Sequence, residues 1–380
     1  MRMKTLSDVC EVYSGYALKE FNEYGDGLPV IKIGNIMADG SLVLDNCQYT
    51  SEIVNAKYLS QKGDIYVALS GATTGKIGIL ETDDTHVINQ RVGIVRRTDD
   101  TVPYEYIKYF LLRQTERILK EAAGCAQPNI SPKQIAAYEI PDISKAKMLE
   151  ESTILDSISY LITQRKVELQ RLDELIKARF VEVISQSNSI DIKLKDVVET
   201  DRIITYGMVK PGKDVEGGVI IIKVKDFPNG IIQTNDFLHS DPELESKYAR
   251  SRVKAGDLLY SIRGTVGRTA FVTPELEGAN ITQDTARLSI DTKRFNPNYI
   301  RFALGYDEVV RTVESQIKGV AMKGISLSEL REIEIPCVDY DAQQVFGEFV
   351  EQVDKSKSVV QKSLDEAQLL FDSLMQKYFG

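Results

Sequence analysis

Several residue types and patterns that support catalysis or membrane insertion are scarce in this chain of 380 residues. It has no tryptophan and only two histidines, His86 and His239, which leaves little material for a histidine-based catalytic site. No apolar run approaches the 18 residues of a membrane span, and the first residues lead into no apolar signal segment. These absences favour a cytoplasmic protein with no membrane partner.

Cysteine is also sparse and widely spaced. The four cysteines, Cys10, Cys47, Cys125 and Cys337, form no CxxC pair. Zinc sites and Cys/His catalytic sites need clustered thiols or several histidines, which this sequence does not offer. We interpret all four cysteines as reduced packing residues and expect no metal site in this chain.

Excess positive charge is missing as well. The net charge of −9 argues against nonspecific nucleic-acid binding, but it averages over different regions. Residues 1–142 and 339–380 each carry −4, residues 143–186 are neutral, and the cation-rich residues 187–338 carry −1. A DNA-binding face could lie in this cation-rich region, although charge alone favours an ordinary acidic cytoplasmic protein.

The most informative feature that is present is a duplication with an offset of 193 residues. Residues 63–71 (GDIYVALSG) match residues 256–264 (GDLLYSIRG), and residues 89–91 (NQR) match residues 282–284 (TQD). Periods of 20 to 50 residues indicate solenoids or propellers, whereas a period this long indicates a duplicated domain. A duplicated unit suggests a two-sided target.

Both copies predict the same order of elements. A helix is expected with Pro103 in its first turn and an apolar stripe that extends to Ile118, and another is expected from Pro297. Ser131 with Gln134, and Ser326 with Glu329, have the spacing of capping boxes at equivalent repeat positions. Short apolar runs bounded by Gly, Asn and Asp predict strands at residues 30–33, 64–69, 76–80, 218–224, 257–262 and 268–272.

Each copy ends in a long heptad-like pattern. Residues 144–185 and 340–379 predict helices of about 40 residues and about 60 Å, interrupted once each by a cation, Arg165 or Lys357. The first helix connects the first globular copy to the second. The second helix follows the second copy and has no further copy after it in this sequence. Side-by-side packing must therefore be antiparallel; the alternative is that each helix folds onto its own domain.

No catalytic constellation is apparent. The segment 71–77 (GATTGKI) is similar to a phosphate-binding loop, but three residues separate its glycines instead of four. Ile77 also stands where Ser or Thr would bind magnesium, and the equivalent loop at residues 264–268 is shorter still. The chain therefore has the features of a reader of a ligand and not of an enzyme.

The glycine-rich loops and nearby strand ends carry cations, amides and hydroxyls that suit phosphates and base edges. Taken singly, each such residue could equally be a turn former or a solvated charge, but the recurrence in both copies favours DNA. The candidate DNA-binding residues are Lys32, Asn35, Ser70, Thr73, Thr74, Lys76, Asn89, Gln90, Arg91, Lys223, Lys225, Arg263, Thr265, Arg268, Thr282 and Gln283.

This order of domain, helix, domain and helix resembles the specificity subunit of type I restriction-modification systems. The resemblance covers essentially the whole chain, and no single motif is specific. It is carried by residues 62–65 with 70–76, residues 256–259 with 263–268, residues 129–131 leading to 139–141, and the tail at residues 343–379. The joint at residues 141–144 (PDIS) departs from the family's proline-rich form, so partner contacts there are less well defined.

The resemblance implies an α+β fold with target-recognition domains at residues 1–142 and 188–338. Long helices at residues 143–187 and 339–380 would form an intramolecular antiparallel coiled coil with pseudo-twofold symmetry. Each domain would read one half of a bipartite asymmetric site in double-stranded DNA, while the coiled coil would set the spacer. The chain would supply specificity and no catalytic residue.

The resemblance also implies partner proteins. Two methylation subunits would bring S-adenosylmethionine and methylate adenine, and restriction subunits would use ATP and magnesium, so this chain itself would bind no cofactor. Whether two restriction subunits are present is left open. The alternatives are a coiled-coil scaffold with two protein-binding heads and a hydrolase of the P-loop type.

Overall fold

The computed structural model describes residues 2–22, 25–37, 40–123, 128–318 and 323–380. The chain forms two compact units, Met1–Lys166 with Lys362–Gly380 and Val167–Gln361. Helices α4 (Lys145–Gln186) and α9 (Tyr340–Phe379) each contribute residues to both units, so the domain boundaries expected at residues 142, 187 and 338 stay predictions. The two long helices begin and end within one residue of the predicted bounds.

The first unit consists of three small sheets and short helices. A four-stranded sheet has the order β2-β8-β5-β6, a three-stranded sheet has the order β4-β3-β7, and β1 pairs with β9. The strands are β1 (Met3–Thr5), β2 (Cys10–Ser14), β3 (Leu28–Ile31), β4 (Gln48–Thr50), β5 (Ile65–Ala68), β6 (Ile77–Ile79), β7 (Val87–Ile88), β8 (Val92–Arg97) and β9 (Glu139–Pro141). The short helices are α1 (Tyr104–Arg113), α2 (Thr115–Ala122) and α3 (Pro132–Ala136).

The second unit repeats this topology. Its sheets have the orders β11-β17-β14-β15, β13-β12-β16 and β10-β18. The strands are β10 (Ile190–Lys193), β11 (Thr205–Tyr206), β12 (Val219–Ile222), β13 (Leu238–Ser240), β14 (Leu258–Ser261), β15 (Thr269–Phe271), β16 (Asn280–Ile281), β17 (Thr285–Leu288) and β18 (Glu334–Cys337). The short helices are α5 (Pro242–Ser246), α6 (Pro297–Leu304), α7 (Asp307–Gln316) and α8 (Leu327–Glu332). The predicted α+β class and the duplication are confirmed.

Strand β5 shows why these apolar runs form central strands. Successive side chains of a strand point to opposite faces, so Ile65 and Val67 enter the core that contains Tyr106. Tyr66 enters the opposite core with Ile94. Because both faces of β5 are covered, the run is apolar throughout and does not alternate with polar residues.

The two long helices pack in antiparallel fashion within each unit. In the first unit, Ile158 and Ile162 of α4 form a cluster with Ala367 of α9. In the second unit, the rings of Phe180 and Phe346 lie 5.3 Å apart between centroids, and Asp173 Oδ1 lies 2.6 Å from Lys357 Nζ. The predicted antiparallel pairing is therefore confirmed, and the basic interruption at Lys357 is explained by an ion pair across the helices.

Both predicted capping boxes are present. Ser131 Oγ accepts a hydrogen bond from the Gln134 N–H at 3.3 Å, and Ser326 Oγ accepts one from the Glu329 N–H at 3.2 Å. The Gln134 and Glu329 side chains accept the N–H groups of their serines in return. Hydrogen bonds from Lys318 and then Ser326 lower the pKa of Glu329 to about 2, which keeps this cap ionised.

Two details of the sequence prediction were wrong. Pro103 is the residue before α1 and not part of its first turn. Ile118 lies on the separate helix α2, because the chain turns at Gln114, whose N–H bonds back to the carbonyl of Leu111. The apolar stripe continues across this turn since Ile118 still enters the same core as Tyr106.

The described cysteines lie in the interior. Cys10, Cys47 and Cys337 are buried and form no disulfide, while Cys125 lies outside the described residues. Burial raises the pKa of the Cys10 thiol to about 12, which keeps it protonated at neutral pH. Across the described ranges, no helix is both long and apolar enough to cross a membrane.

Candidate nucleic-acid interface

The strand order of the first unit brings three predicted loops together. The end of β5 lies beside the start of β8, since Ala68 pairs with Val92 in antiparallel register. Strands β3 and β7 are parallel and end side by side, with Ile31 opposite Ile88. The loops after β3 and β5 and the turn between β7 and β8 are therefore neighbours. We call residues 32–35, 70–76 and 89–91 the first edge.

The second unit forms the equivalent arrangement. Ile222 and Ile281 pair at the ends of the parallel strands β12 and β16, and Ser261 pairs with Thr285 where β14 ends and β17 begins. We call residues 223–226, 262–268 and 282–284 the second edge. All of the candidate DNA-binding residues fall on one of these two edges, nine on the first and seven on the second. Their contact with DNA stays a prediction.

Several candidates on the first edge use their polar groups within the protein. Asn35 Oδ1 accepts the Lys32 N–H at 2.8 Å, while Asn35 Nδ2 donates to the carbonyl of Val43 at 2.9 Å. The buried Thr74 hydroxyl donates to the carbonyl of Gly71 at 2.7 Å. The buried Asn89 side chain accepts the Arg91 N–H at 3.2 Å. Asn35, Thr74 and Asn89 therefore shape the backbone of this edge.

Lys32 is the most constrained cation of the first edge. Its Nζ lies 3.5 Å from the centroid of the Phe21 ring and contacts the side-chain oxygen of Gln48. Burial lowers the pKa of Lys32, because water is partly excluded from the ammonium. An ammonium held in this way keeps a fixed position instead of sampling many rotamers.

Most of the remaining candidates of the first edge have side chains without an ion-pair or hydrogen-bond partner among the described residues. Gln90 and Arg91 are exposed and Lys76 is half-buried, and no described residue forms an ion pair with either cation. The Thr73 hydroxyl is buried without a hydrogen-bond partner in the described part of the chain. Ser70 forms a bridge with Asn129, which ties the loop to the segment before α3.

The second edge carries four cations, against three on the first edge, together with the carboxylates Asp226 and Asp284. Arg263 and Arg268 are half-buried, Thr265 is exposed, and no described residue pairs with the two guanidinium groups. The loop is held from inside, because the Ser261 hydroxyl donates to the carbonyl of Thr265 at 2.6 Å and accepts the Arg268 N–H at 2.8 Å. The arginine side chains therefore project from a fixed backbone.

The other candidates of the second edge differ in their freedom. Lys225 Nζ lies 3.9 Å from Asp226 and 3.7 Å from Asp236, while Lys223 is half-buried. Thr282 is buried, and its N–H donates to the carbonyl of Ile222 at 3.3 Å. The Gln283 side chain is half-buried, with its N–H bonded to the carbonyl of Met208 at 2.9 Å.

The Gly-Asp motif that revealed the duplication has a structural role. Gly63 and Gly256 both adopt a φ of +86°, which a glycine accommodates without strain. Asp64 is buried and paired with Arg96, whose Nε and Nη2 lie 2.8 and 2.6 Å from its two oxygens. The equivalent Asp257 accepts from Arg202 Nη2 at 2.6 Å. The motif therefore fixes the strand entry and lies away from the edges.

The loop at residues 71–76 does not have the geometry of a nucleotide-binding loop. A phosphate-binding loop of that type joins a strand to the N-terminus of a helix. Here the loop joins the antiparallel neighbours β5 and β6, with Gly71 and Gly75 at φ of +86° and +83°. In addition, no three His, Cys, Asp or Glu side chains within the described ranges come together to hold a metal ion.

One residue of the second edge, Asp284, and one residue beside it, Lys323, were missed by the sequence prediction. Asp284 occupies the same turn position as Arg91. The alignment of residues 89–91 with 282–284 already placed these two residues opposite each other. Lys323 is exposed, and its carbonyl accepts the Gly264 N–H at 3.0 Å, so it lies beside the arginine loop. Lys323 is about 60 residues away in sequence, and only the tertiary fold brings it to this loop.

Two α+β domains of one topology, each with a polar loop edge, and long helices packed in antiparallel fashion define a duplicated recognition protein. A family model described as the type I restriction modification DNA specificity domain matches residues 1–175 and 188–368. The chain belongs to this family, which confirms the assignment made from the sequence.

Individual relatives agree with this family. The chain is 22% identical over 405 residues to the specificity subunit of the type I restriction enzyme EcoBI from Escherichia coli, covering 98% of this chain and 83% of the relative. Its fold is similar to a crystal structure of a type I restriction-modification S subunit from M. genitalium, with a TM-score of 0.60 and 16% identity over 100% of this chain and 96% of the other. The fold is also similar to a chain from a structure described as the structural basis of complex assembly and conformational transition of the type I system. The TM-score is 0.56 and the identity 15%, over 100% of this chain and 97% of the other.

Proposed function

We propose that this chain reads a bipartite asymmetric DNA site, with one half-site recognised by each edge. The observation that carries the proposal is the combination of an identical topology with different side chains at the same positions. The turn after β7 presents Asn89, Gln90 and Arg91, whereas the turn after β16 presents Thr282, Gln283 and Asp284. Two readers with one framework and different contact residues suit a site with two different halves.

The charge at the edges supports DNA as the ligand. Lys76 and Arg91 on the first edge, and Arg263 and Arg268 on the second, have no ion-pair partner within the described ranges. Cations without a protein partner can neutralise phosphates, and arginine can also bind a guanine edge through two hydrogen bonds. The net charge of −9 therefore does not oppose DNA binding, since the charge is unevenly distributed.

The helices supply a surface for the methylation subunits. In the second unit, a groove between α4 and α9 combines exposed apolar residues, including Leu175 at 48% and Val345 at 55% exposure, with the charged side chains of Arg179, Glu182 and Glu348. An amphipathic helix of a partner would bury such a groove. We assign the surface of the long helices, of which this groove is one part, to two methylation subunits, which would carry S-adenosylmethionine. Restriction subunits would use ATP and magnesium.

The length of the same helices is the proposed determinant of the spacer. Helix α4 has 42 residues and α9 has 40, which corresponds to about 60 Å of helix for each. One helical turn of DNA is about 34 Å long, and the half-sites of two-domain DNA readers lie one turn or a multiple of it apart. Helices of about 60 Å can therefore address half-sites that are one or two turns apart. The chain itself contributes recognition and spacing, and the partner subunits contribute the chemistry.

Replacement of Arg263 tests DNA reading by the second edge. In a complex of the chain with its methylation subunit, Arg263→Ala is expected to weaken binding to the cognate site about tenfold or more, because a good arginine contact with guanine contributes about 1–3 kcal/mol. Binding to unrelated DNA should fall much less. Fluorescence anisotropy with both duplexes at two salt concentrations measures the difference.

Lys293→Ala is the matched control for this replacement. Lys293 is an exposed cation of the same unit that lies beyond the other end of β17. Its loss should leave the preference for the cognate duplex unchanged. Equal losses on cognate and unrelated DNA for Arg263→Ala would reduce Arg263 to a phosphate contact.

A further inference from the structure

We propose that Asp284 and Arg91 each read one base, with opposite hydrogen-bond polarity, at the same turn of the two edges. Asp284 would accept a hydrogen bond from the amino group of a cytosine or adenine, whereas Arg91 would donate to a guanine. The inference rests on the proposed function and adds the chemistry of one contact in each half-site.

The two residues occupy the same place in the two units. The carbonyl of Arg91 accepts the Leu69 N–H at 2.9 Å, and the carbonyl of Asp284 accepts the Ile262 N–H at 2.8 Å. Both turns are also fixed from their other side, because the N–H groups of Asn89 and Thr282 donate to the strand that ends beside them. The side chains therefore leave a backbone that is hydrogen-bonded to two neighbouring strands.

Asp284 lacks the partner that other carboxylates of the second unit have. Within the described ranges its side chain accepts no hydrogen bond and forms no ion pair, and its Oδ1 is buried. By contrast, Asp226 accepts the Lys223 N–H at 2.8 Å and Asp257 binds Arg202 at 2.6 Å. A covered carboxylate oxygen without a partner is unfavourable. Because Asp284 as a whole is only half-buried, a ligand that approaches the turn can use its hydrogen-bonding capacity.

The charges around Asp284 indicate that its role at this edge is not to increase the affinity for DNA. The loop joined to its carbonyl carries Arg263 and Arg268, neither of which pairs with it among the described residues. A carboxylate at a face that approaches phosphates lowers nonspecific affinity for DNA. Its presence at such a face is consistent with discrimination between bases, where a repulsive group penalises the wrong partner.

The base classes follow from hydrogen-bond chemistry. An ionised carboxylate can only accept, and the exposed amino groups of the major groove are cytosine N4 and adenine N6. A guanidinium can only donate, and guanine O6 and N7 offer two acceptors in the matching geometry. One turn position thus gives two different base preferences without a change in the framework.

The test maps methylated adenines produced by the complex of this chain with its methylation subunit. Genomic DNA from a host without adenine methylation is the substrate, and single-molecule sequencing gives the motif. Asp284→Ala is expected to make one position of one half-site degenerate, with discrimination reduced on the order of tenfold or more. Asp284→Asn, which keeps the shape and one acceptor, should retain more of the preference than Asp284→Ala.

Arg91→Gln should change one position of the other half-site and leave the first unchanged. Glu277→Gln is the matched control, since Glu277 is an exposed carboxylate at the opposite end of β16 and should leave both half-sites unaltered. An unchanged motif for Asp284→Ala, or simultaneous loss of both half-sites, would overturn the inference. A wild-type complex without any bipartite motif would instead refute the proposed function.

Discussion

Removal of seven residues from each long helix is expected to shorten the spacer of the methylated site by about three base pairs. Seven helical residues span about 10 Å, and base pairs are stacked at about 3.4 Å. The suitable deletions are residues 163–169 of α4 and residues 360–366 of α9. Mapping of methylated adenines in the presence of the methylation subunit measures the spacer directly.

These deletions leave two contacts between the helices in place, although they remove Leu364, which packs against the first of them. They fall between the cluster of Ile158, Ile162 and Ala367 in the first unit and the ion pair of Asp173 with Lys357 in the second. A loss of seven residues also keeps the apolar stripe in phase, since the stripe repeats every seven residues. Deletion from α4 alone would place the two stripes out of register and serves as the control for nonspecific damage.

The two half-site sequences provide the internal control. They should remain the same in the double deletion, because neither edge contains a deleted residue. Methylation of the same half-sites at the original spacing would contradict the role of the helices as a ruler.

Phe180→Ala is expected to destabilise the second unit by about 3–5 kcal/mol. Phe180 is 2% exposed, and its ring centroid lies 5.1 Å from that of Tyr299 and 5.3 Å from that of Phe346. The substitution removes a helix side chain from the place where α4, α6 and α9 meet, and aromatic neighbours of this size cannot collapse to fill the space. Urea unfolding followed by circular dichroism measures the loss.

Val181→Ala is the matched control for this substitution. Val181 is the next residue on α4 and is 49% exposed, so its truncation should change the free energy of unfolding by less than about 0.5 kcal/mol. Since the chain has two compact units, the unfolding transition of the second unit should move to a lower urea concentration in the Phe180 variant. The transition of the first unit should stay at the same urea concentration. Equal destabilisation by both substitutions would show that the aromatic cluster does not anchor α4.

The elements that could be predicted from the sequence are those with strong local signals. Capping boxes at Ser131 and Ser326 have short-range hydrogen bonds that depend on three-residue spacing, so the sequence alone locates them. The long helices have a period sustained over 40 residues, which no other element imitates. The turn at Gln114 was missed because the apolar stripe continues through it from α1 to α2.

The candidate site could be predicted only in part, for a physical reason. Sequence identifies residues with suitable chemistry, but it does not show which polar groups are already used within the protein. Asn35 and Thr74 have the right chemistry for base edges and yet bond to nearby carbonyls. Lys323 reaches the second edge through a backbone contact with Gly264, which depends on the tertiary fold.

The central proposal is that each unit reads its own half of one DNA site, and the most direct measurement is the methylation motif of hybrid chains. Residues 1–142 of this chain would be joined to the second half of a family member with a different motif, and the hybrid would be expressed with a compatible methylation subunit. The proposal predicts a motif that combines one half-site from each parent. A hybrid that methylates DNA at the complete motif of either parent would contradict it.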